Sequence, residues 1–291
     1  MFEILAEIYI PIAIGLLLGA YLKPGERELA FFSRVVLYVF LPALLFLSTY
    51  NRLLKVSEPR LLNLSALSAL GVLLTFALTR SLREDREIVL TSMYANAGYV
   101  PVGIAHALWG EEGVSSVGFY ILGNNSLSNS IAPLLSGRGR TALSLVRRIL
   151  LFPPVTAVIL GASSGIARLP LPDPVLPTLK SLSDAAATVA LLQLGLEFGQ
   201  RPGFDVEGLR AYLYRLAIVI PLTVLFVKTG LLGGVDRGVA ILESVMPSAV
   251  SCVPISRELG FDSGRVARIV FTSTLVSTLV ALPAVLFLLK P

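Results

Sequence analysis

The chain has 291 residues, of which 55% are hydrophobic and 15% charged, with a formal net charge of +5 and a mean hydropathy of +0.79. Soluble domains carry roughly 25% charged residues, so this composition excludes one and points to a polytopic membrane protein. The basic residues are scattered over short loops, which excludes a nucleic-acid surface; a lone cysteine, Cys252, excludes an intramolecular disulfide, and a lone histidine, His106, excludes a His-rich metal site.

Apolar runs bounded by charge, Gly or Pro predict spans at 3–22, 30–50, 61–79, 88–109, 113–135, 143–165, 174–199, 209–228, 235–259 and 264–289. The first begins Met1-Phe2-Glu3 with no basic n-region, so it reads as a transmembrane helix and not a cleaved signal. The two halves answer each other. Pro11 and Gly19 in the first span have the spacing of Pro153 and Gly161 in the sixth. Ser33 in the second span corresponds to Ser183 in the seventh. Met93 and Pro101 in the fourth recur as Met246 and Pro254 in the ninth, at one offset of 153 residues. The expected fold is all-α, with ten transmembrane helices as a five-plus-five repeat. Five is odd, so the second half enters from the opposite side and the repeat is inverted.

Loop charge orients the chain by the positive-inside rule. With the N-terminus outside, the inside loops gather Lys23, Arg27, Arg80, Arg83, Arg86, Arg138, Arg140, Arg147, Arg148, Arg201, Arg210, Arg215, Arg257, Arg265 and Arg268. The outside holds Arg52, Lys55, Arg60, Arg168, Lys180, Lys228, Arg237 and Lys290. Both termini are therefore expected outside.

Apolar spans broken by Gly and Pro at matching places in two halves point to a transporter binding site. Irregular backbone survives at membrane depth only where it is buried or lines a cavity. Asn96 sits beside Gly98 and before Pro101, so the fourth span reads either as an unwound crossing point or as a kinked helix with Asn96 bonded to a neighbour. In the fifth span Asn125 and Asn129 share a helix face with Ser128 beside them. They read as a cavity wall or as interhelical hydrogen bonding. Glu243 lies three residues before Met246. It reads as an intramembrane carboxylate able to take a proton or a sodium ion, or as a surface partner of Arg237. Glu197 reads as interfacial, Asp184 as a helix-start residue, and His106 as a weak candidate.

These residues resemble a known family. Asn96-Ala97-Gly98-Tyr99 followed by Leu108-Trp109-Gly110-Glu111-Glu112-Gly113 resembles the auxin efflux carrier family. Met246-Pro247-Ser248-Ala249-Val250 and Arg257-Glu258-Leu259-Gly260 are similar to its second-half counterpart. Tyr38-Val39-Phe40-Leu41-Pro42-Ala43-Leu44 resembles the second span, and Phe152-Pro153-Pro154, Ile159-Leu160-Gly161 and Leu171-Pro172 the sixth. The chain departs from the family in placing Pro101 before Gly103, and Ser251 where many members carry Asn. Without a long central loop it is similar to the compact prokaryotic members, within the bile, arsenite and riboflavin transporter superfamily. Glu243 is similar to a cation-binding glutamate of the related bile acid sodium symporters.

The resemblance implies crossing fourth and ninth helices. It implies scaffold segments 1–60 and 138–205, and mobile core segments 61–137 and 206–291, often in a homodimer in the plasma membrane. It implies carriage of organic anions such as auxin or small dicarboxylates. The expected function is a secondary transporter of a small organic anion working by elevator-type alternating access. The alternatives are a non-transporting membrane sensor and a sodium-coupled symporter of a larger organic anion. Expected substrate-binding residues are Asn96, Gly98, Pro101, Asn125, Asn129, Met246, Ser248, Ser251 and Pro254, with Glu243 for proton or sodium coupling. The chain has no H-E-x-x-H and no paired Asp-rich motif, so no enzyme, no metal site and no cofactor are expected. Beyond the anion and membrane lipid, no nucleic-acid partner is expected.

Overall fold

The computed structural model describes residues 2–55, 59–136, 147, 150–199 and 203–289. Among these, regular structure is helical, apart from a single antiparallel bridge between Ala95 and Ser248. In chain order, α1 is Phe2–Leu22; α2, Glu26–Val35, runs through a π-turn, Val36–Phe40, into α3, Leu41–Lys55. Next come α4, Leu62–Ser81; α5, Arg86–Met93; α6, Tyr99–Ile131; α7, Pro153–Ile166; and α8, Val175–Gly199. The remainder is α9, Val206–Lys228; α10, Gly234–Ser244; α11, Cys252–Leu259; α12, Ser263–Val276; a second π-turn, Ser277–Ala281; and α13, Leu282–Leu288.

Arg27–Lys55, Leu62–Ser81, Val175–Leu196, Val206–Lys228 and Ser263–Leu288 are long and apolar enough to cross a membrane, and Ala6–Leu22 and Pro153–Ile166 are shorter apolar helices. The expected fourth and ninth spans each resolve into two helices, α5 with the start of α6, and α10 with α11. The start of the expected sixth span, Arg138, Arg140, Arg148, Arg201, Lys290 and the Glu197 side chain lie outside the described residues. Asp184 is not a helix-start residue: α8 begins at Val175, and Asp184 lies exposed inside it.

Local chemistry explains the irregular turns. Both π-turns run into a Leu-Pro pair, Leu41-Pro42 and Leu282-Pro283. Proline has no N–H to give the preceding turn and its ring crowds the carbonyl there, so the turn widens instead of breaking. Gly110 divides α6 with φ 58° and ψ −143°, a conformation essentially restricted to glycine. Gly110 thus marks the boundary between the expected fourth and fifth spans.

The chain forms two compact units. The first comprises Met1–Pro59, Gly98–Phe119 and Leu150–Arg201. Its helices are joined by glycines four residues apart. A Cβ on Gly15 would lie 2.1 Å from the Leu192 carbonyl, and one on Gly195 2.0 Å from that of Ile12. Gly19 and Gly199 repeat the contact one turn on, while Gly161 and Gly165 meet the carbonyls of Phe46 and Tyr50. In lipid no hydrophobic force drives helices together, so small residues that let backbones touch supply the packing.

The second unit comprises Arg60–Ala97, Tyr120–Ile149 and Pro202–Pro291. Its core includes Val72, Leu90, Met93, Ile131, Cys252, Ile255 and Val266. Charged residues tie its helix starts at one end. Arg265 of α12 donates to both Glu207 carboxylate oxygens, at 2.6 and 2.7 Å, and to Asp85 at 2.9 Å. Arg210 meets Glu84 at 3.1 Å. Asp205 and Asp262 cap α9 and α12 by accepting from the backbone N–H groups of Glu207 and Arg265.

Candidate functional site

The second unit contains the paired residues of both helix breaks, Tyr94–Ala97 and Met246–Ala249. α5 stops at Met93 and helix resumes at Tyr99; α10 stops at Ser244 and helix resumes at Cys252. Between them the Asn96 N–H donates to the Pro247 carbonyl at 2.8 Å, and the Ala249 N–H to the Tyr94 carbonyl at 2.8 Å. The bridged residues, Ala95 and Ser248, differ by the same 153 residues as the sequence matches. Each break thus satisfies part of the other's backbone, which buried peptide groups require.

The breaks begin earlier than Gly98–Pro101 and Ser248–Pro254, where the prolines suggest them. Pro101 and Pro254 are each the third residue of the resumed helix. There the missing N–H has no intrahelical acceptor, so proline is tolerated. It is the approach to the helix, not the proline, that unwinds.

Side chains close the carbonyls left over. At the first break, Asn124 Nδ2 donates to the Ala95 carbonyl at 3.2 Å and to Asn125 Oδ1 at 2.8 Å. Tyr94 OH donates to Asn129 Oδ1 at 3.3 Å. At the second break, the Val245 carbonyl accepts from Tyr212 OH at 2.6 Å and Ser277 Oγ at 2.7 Å. Arg215 Nε donates to the Met246 carbonyl at 3.0 Å, and Nη2 to the Glu243 carbonyl at 3.3 Å and to Tyr120 OH at 3.4 Å. Ser273 Oγ accepts from the Ser248 N–H at 3.3 Å. Asn124 and Ser277, which each close a carbonyl of their own half's break, are also 153 residues apart.

Of the expected residues, Asn96, Asn125, Asn129, Met246 and Ser248 are buried around these breaks. Ser251 precedes α11, and Pro254 on α11 is exposed. Gly98 and Pro101 fall in the first unit, at the start of α6. Glu243 is fully buried near the end of α10, with neither carboxylate oxygen accepting a hydrogen bond. It does not pair with Arg237, which is exposed. His106 is exposed on α6 and belongs to neither break.

Arg215 is the buried charge at the second break that sequence reasoning missed. It counts as an inside-loop residue in the charge tally, yet it is 2% exposed inside α9. Its position well within the expected span 209–228 was the available signal. A charge at the centre of a membrane helix costs ~2.5–3.5 kcal/mol by insertion scales, so its place needs a reason.

Comparison with known proteins identifies the family. A family model described as "Membrane transport protein" matches residues 1–143 and 138–287. The chain belongs to this family, the auxin efflux carrier-like one that its motifs resemble. It is 28% identical over 297 residues to an "Uncharacterized transporter" of Methanothermobacter thermautotrophicus, covering 95% of this chain and 96% of the relative. It is 26% identical to "Uncharacterized transporter MJ1031" of Methanocaldococcus jannaschii, covering 88% of each. It is 24% identical to a "Putative malonate transporter" of Rhizobium meliloti, covering 87% of this chain and 85% of that one. Family and relatives together make the chain a multi-pass membrane transport protein.

Proposed function

We propose that this protein is a secondary carrier for a small organic anion, with its binding site at the paired breaks. The observation that carries the reading is the antiparallel pairing of Tyr94–Ala97 with Met246–Ala249, ringed by buried Asn96, Asn124, Asn125 and Asn129. Resumed helices present first-turn amides and the positive end of the helix dipole, which favour a carboxylate. The neutral amides supply further donors without fixing a charge. The malonate named for the Rhizobium relative favours a small mono- or dicarboxylate. Substrate-binding positions are Asn96, Gly98, Pro101, Asn125, Asn129, Met246, Ser248, Ser251 and Pro254, and Glu243 serves coupling.

In this reading ten helices form an inverted repeat in the plasma membrane with both termini outside. Core segments 61–137 and 206–291 move past scaffold segments 1–60 and 138–205. The test is uptake of radiolabelled malonate or of an indole carboxylate into proteoliposomes, under an imposed membrane potential. Saturable uptake that falls in Asn96→Ala supports a carrier. Carboxylate binding by thermal shift with no flux in any gradient would replace it with a membrane sensor.

A further inference from the structure

The two breaks are closed by different chemistry. The first uses the neutral amide of Asn124; the second uses the guanidinium of Arg215. The C-terminal end of a half-helix is electronegative, and unwound carbonyls at such ends coordinate monovalent cations in broken-helix carriers. At the end of α10 the Met246 and Glu243 carbonyls are taken by Arg215 Nε and Nη2, at 3.0 and 3.3 Å, and Tyr120 OH completes the contact at 3.4 Å. The Glu243 carboxyl lies within electrostatic reach of the same guanidinium. Side chain and carboxyl are both buried. If the role were packing alone, an apolar residue of similar size would serve without the desolvation cost.

We infer that Arg215 is a resident cation, occupying the place at the second break where two carbonyls and the Glu243 carboxyl would otherwise gather a monovalent metal ion. The inference deepens the proposed site: the cation beside Glu243 belongs to the protein, so coupling at that carboxyl is to a proton and the anion moves without sodium. It also makes Arg215 a positioning residue, holding Glu243–Met246 in the conformation that presents the break.

The experiment is thermal unfolding of the full chain in detergent, with no organic anion present, in sodium, potassium or choline chloride at equal ionic strength. Wild type should respond identically to the three salts. Arg215→Ala should unfold several degrees lower. It should regain stability in sodium, or in dilute guanidinium, but not in choline. Arg215→Ala with Glu243→Gln should lose that recovery, and Arg215→Lys should need no added cation. A sodium-specific stabilisation of wild type that Glu243→Gln removes would overturn the inference, and this arm does not depend on any Arg215 variant folding. An Arg215→Ala protein with the salt response of wild type would overturn it as well. Because no organic anion enters the assay, failure here leaves the anion-carrier reading standing, and failure of carboxylate uptake leaves this result standing.

Discussion

At the scale of single residues, the site is an accounting of carbonyls. Breaking a helix frees peptide groups, and each one buried must find a donor. The Val245 carbonyl has two, Tyr212 and Ser277. Tyr212→Phe and Ser277→Ala should therefore each cost ~1 kcal/mol. The double variant should cost more than the sum, because it leaves the acceptor unsatisfied. A double-mutant cycle by chemical denaturation measures this coupling. Asn96 separates backbone from side chain: its N–H pairs with Pro247 whatever the side chain. Asn96→Ala should accordingly keep its helical circular dichroism. Anion binding should weaken about tenfold or more, the size expected when a hydrogen bond to a charged group of ~1.5–3 kcal/mol is lost; calorimetric titration with malonate checks it.

At the scale of elements, close approach and widened turns set how the helices pack. The glycine pairs of α1 and α8 leave no room for a side chain. Gly195→Ala should destabilise the protein by ~1–3 kcal/mol, as overpacking does, and lower its melting temperature in a fluorimetric scan. Gly233→Ala is the control, since a Cβ there meets nothing within 4 Å and its φ of −140° suits any residue. Equal melting temperatures for the two variants would remove the packing argument. Gly110→Ala should destabilise for a different reason. Space is open at that position, but a φ of 58° with ψ −143° strains any L side chain by ~1–3 kcal/mol.

At the scale of the whole molecule, the family match spans both halves of the chain. The proposed elevator needs a scaffold that stays fixed while the core moves, and a second copy would supply the fixed footing. The protein should therefore run as a homodimer. Native mass measurement from lipid nanodiscs is the check, and a monomer in both nanodiscs and mild detergent would count against a dimeric scaffold.

The sequence by itself determined the class and which two spans are interrupted, but not where each break begins. Composition separated lipid from water as solvent. Met93 and Pro101, recurring as Met246 and Pro254, marked the interrupted spans, because the prolines restrict the chain that leads into them. The buried asparagines of the fifth span were legible for a similar reason, since polar residues in an apolar run are exceptions that need partners. Only the tertiary structure decided how those partners are shared. That Ala95 pairs with Ser248, that Asn124 serves Ala95, and that α9 inserts Arg215 beneath Met246 are contacts between segments remote in sequence. Periodicity and composition carry no record of such contacts. An arginine inside an apolar run is counted with the loop charges when a linear count sees its neighbours in the chain and not the carbonyls that folding brings to it.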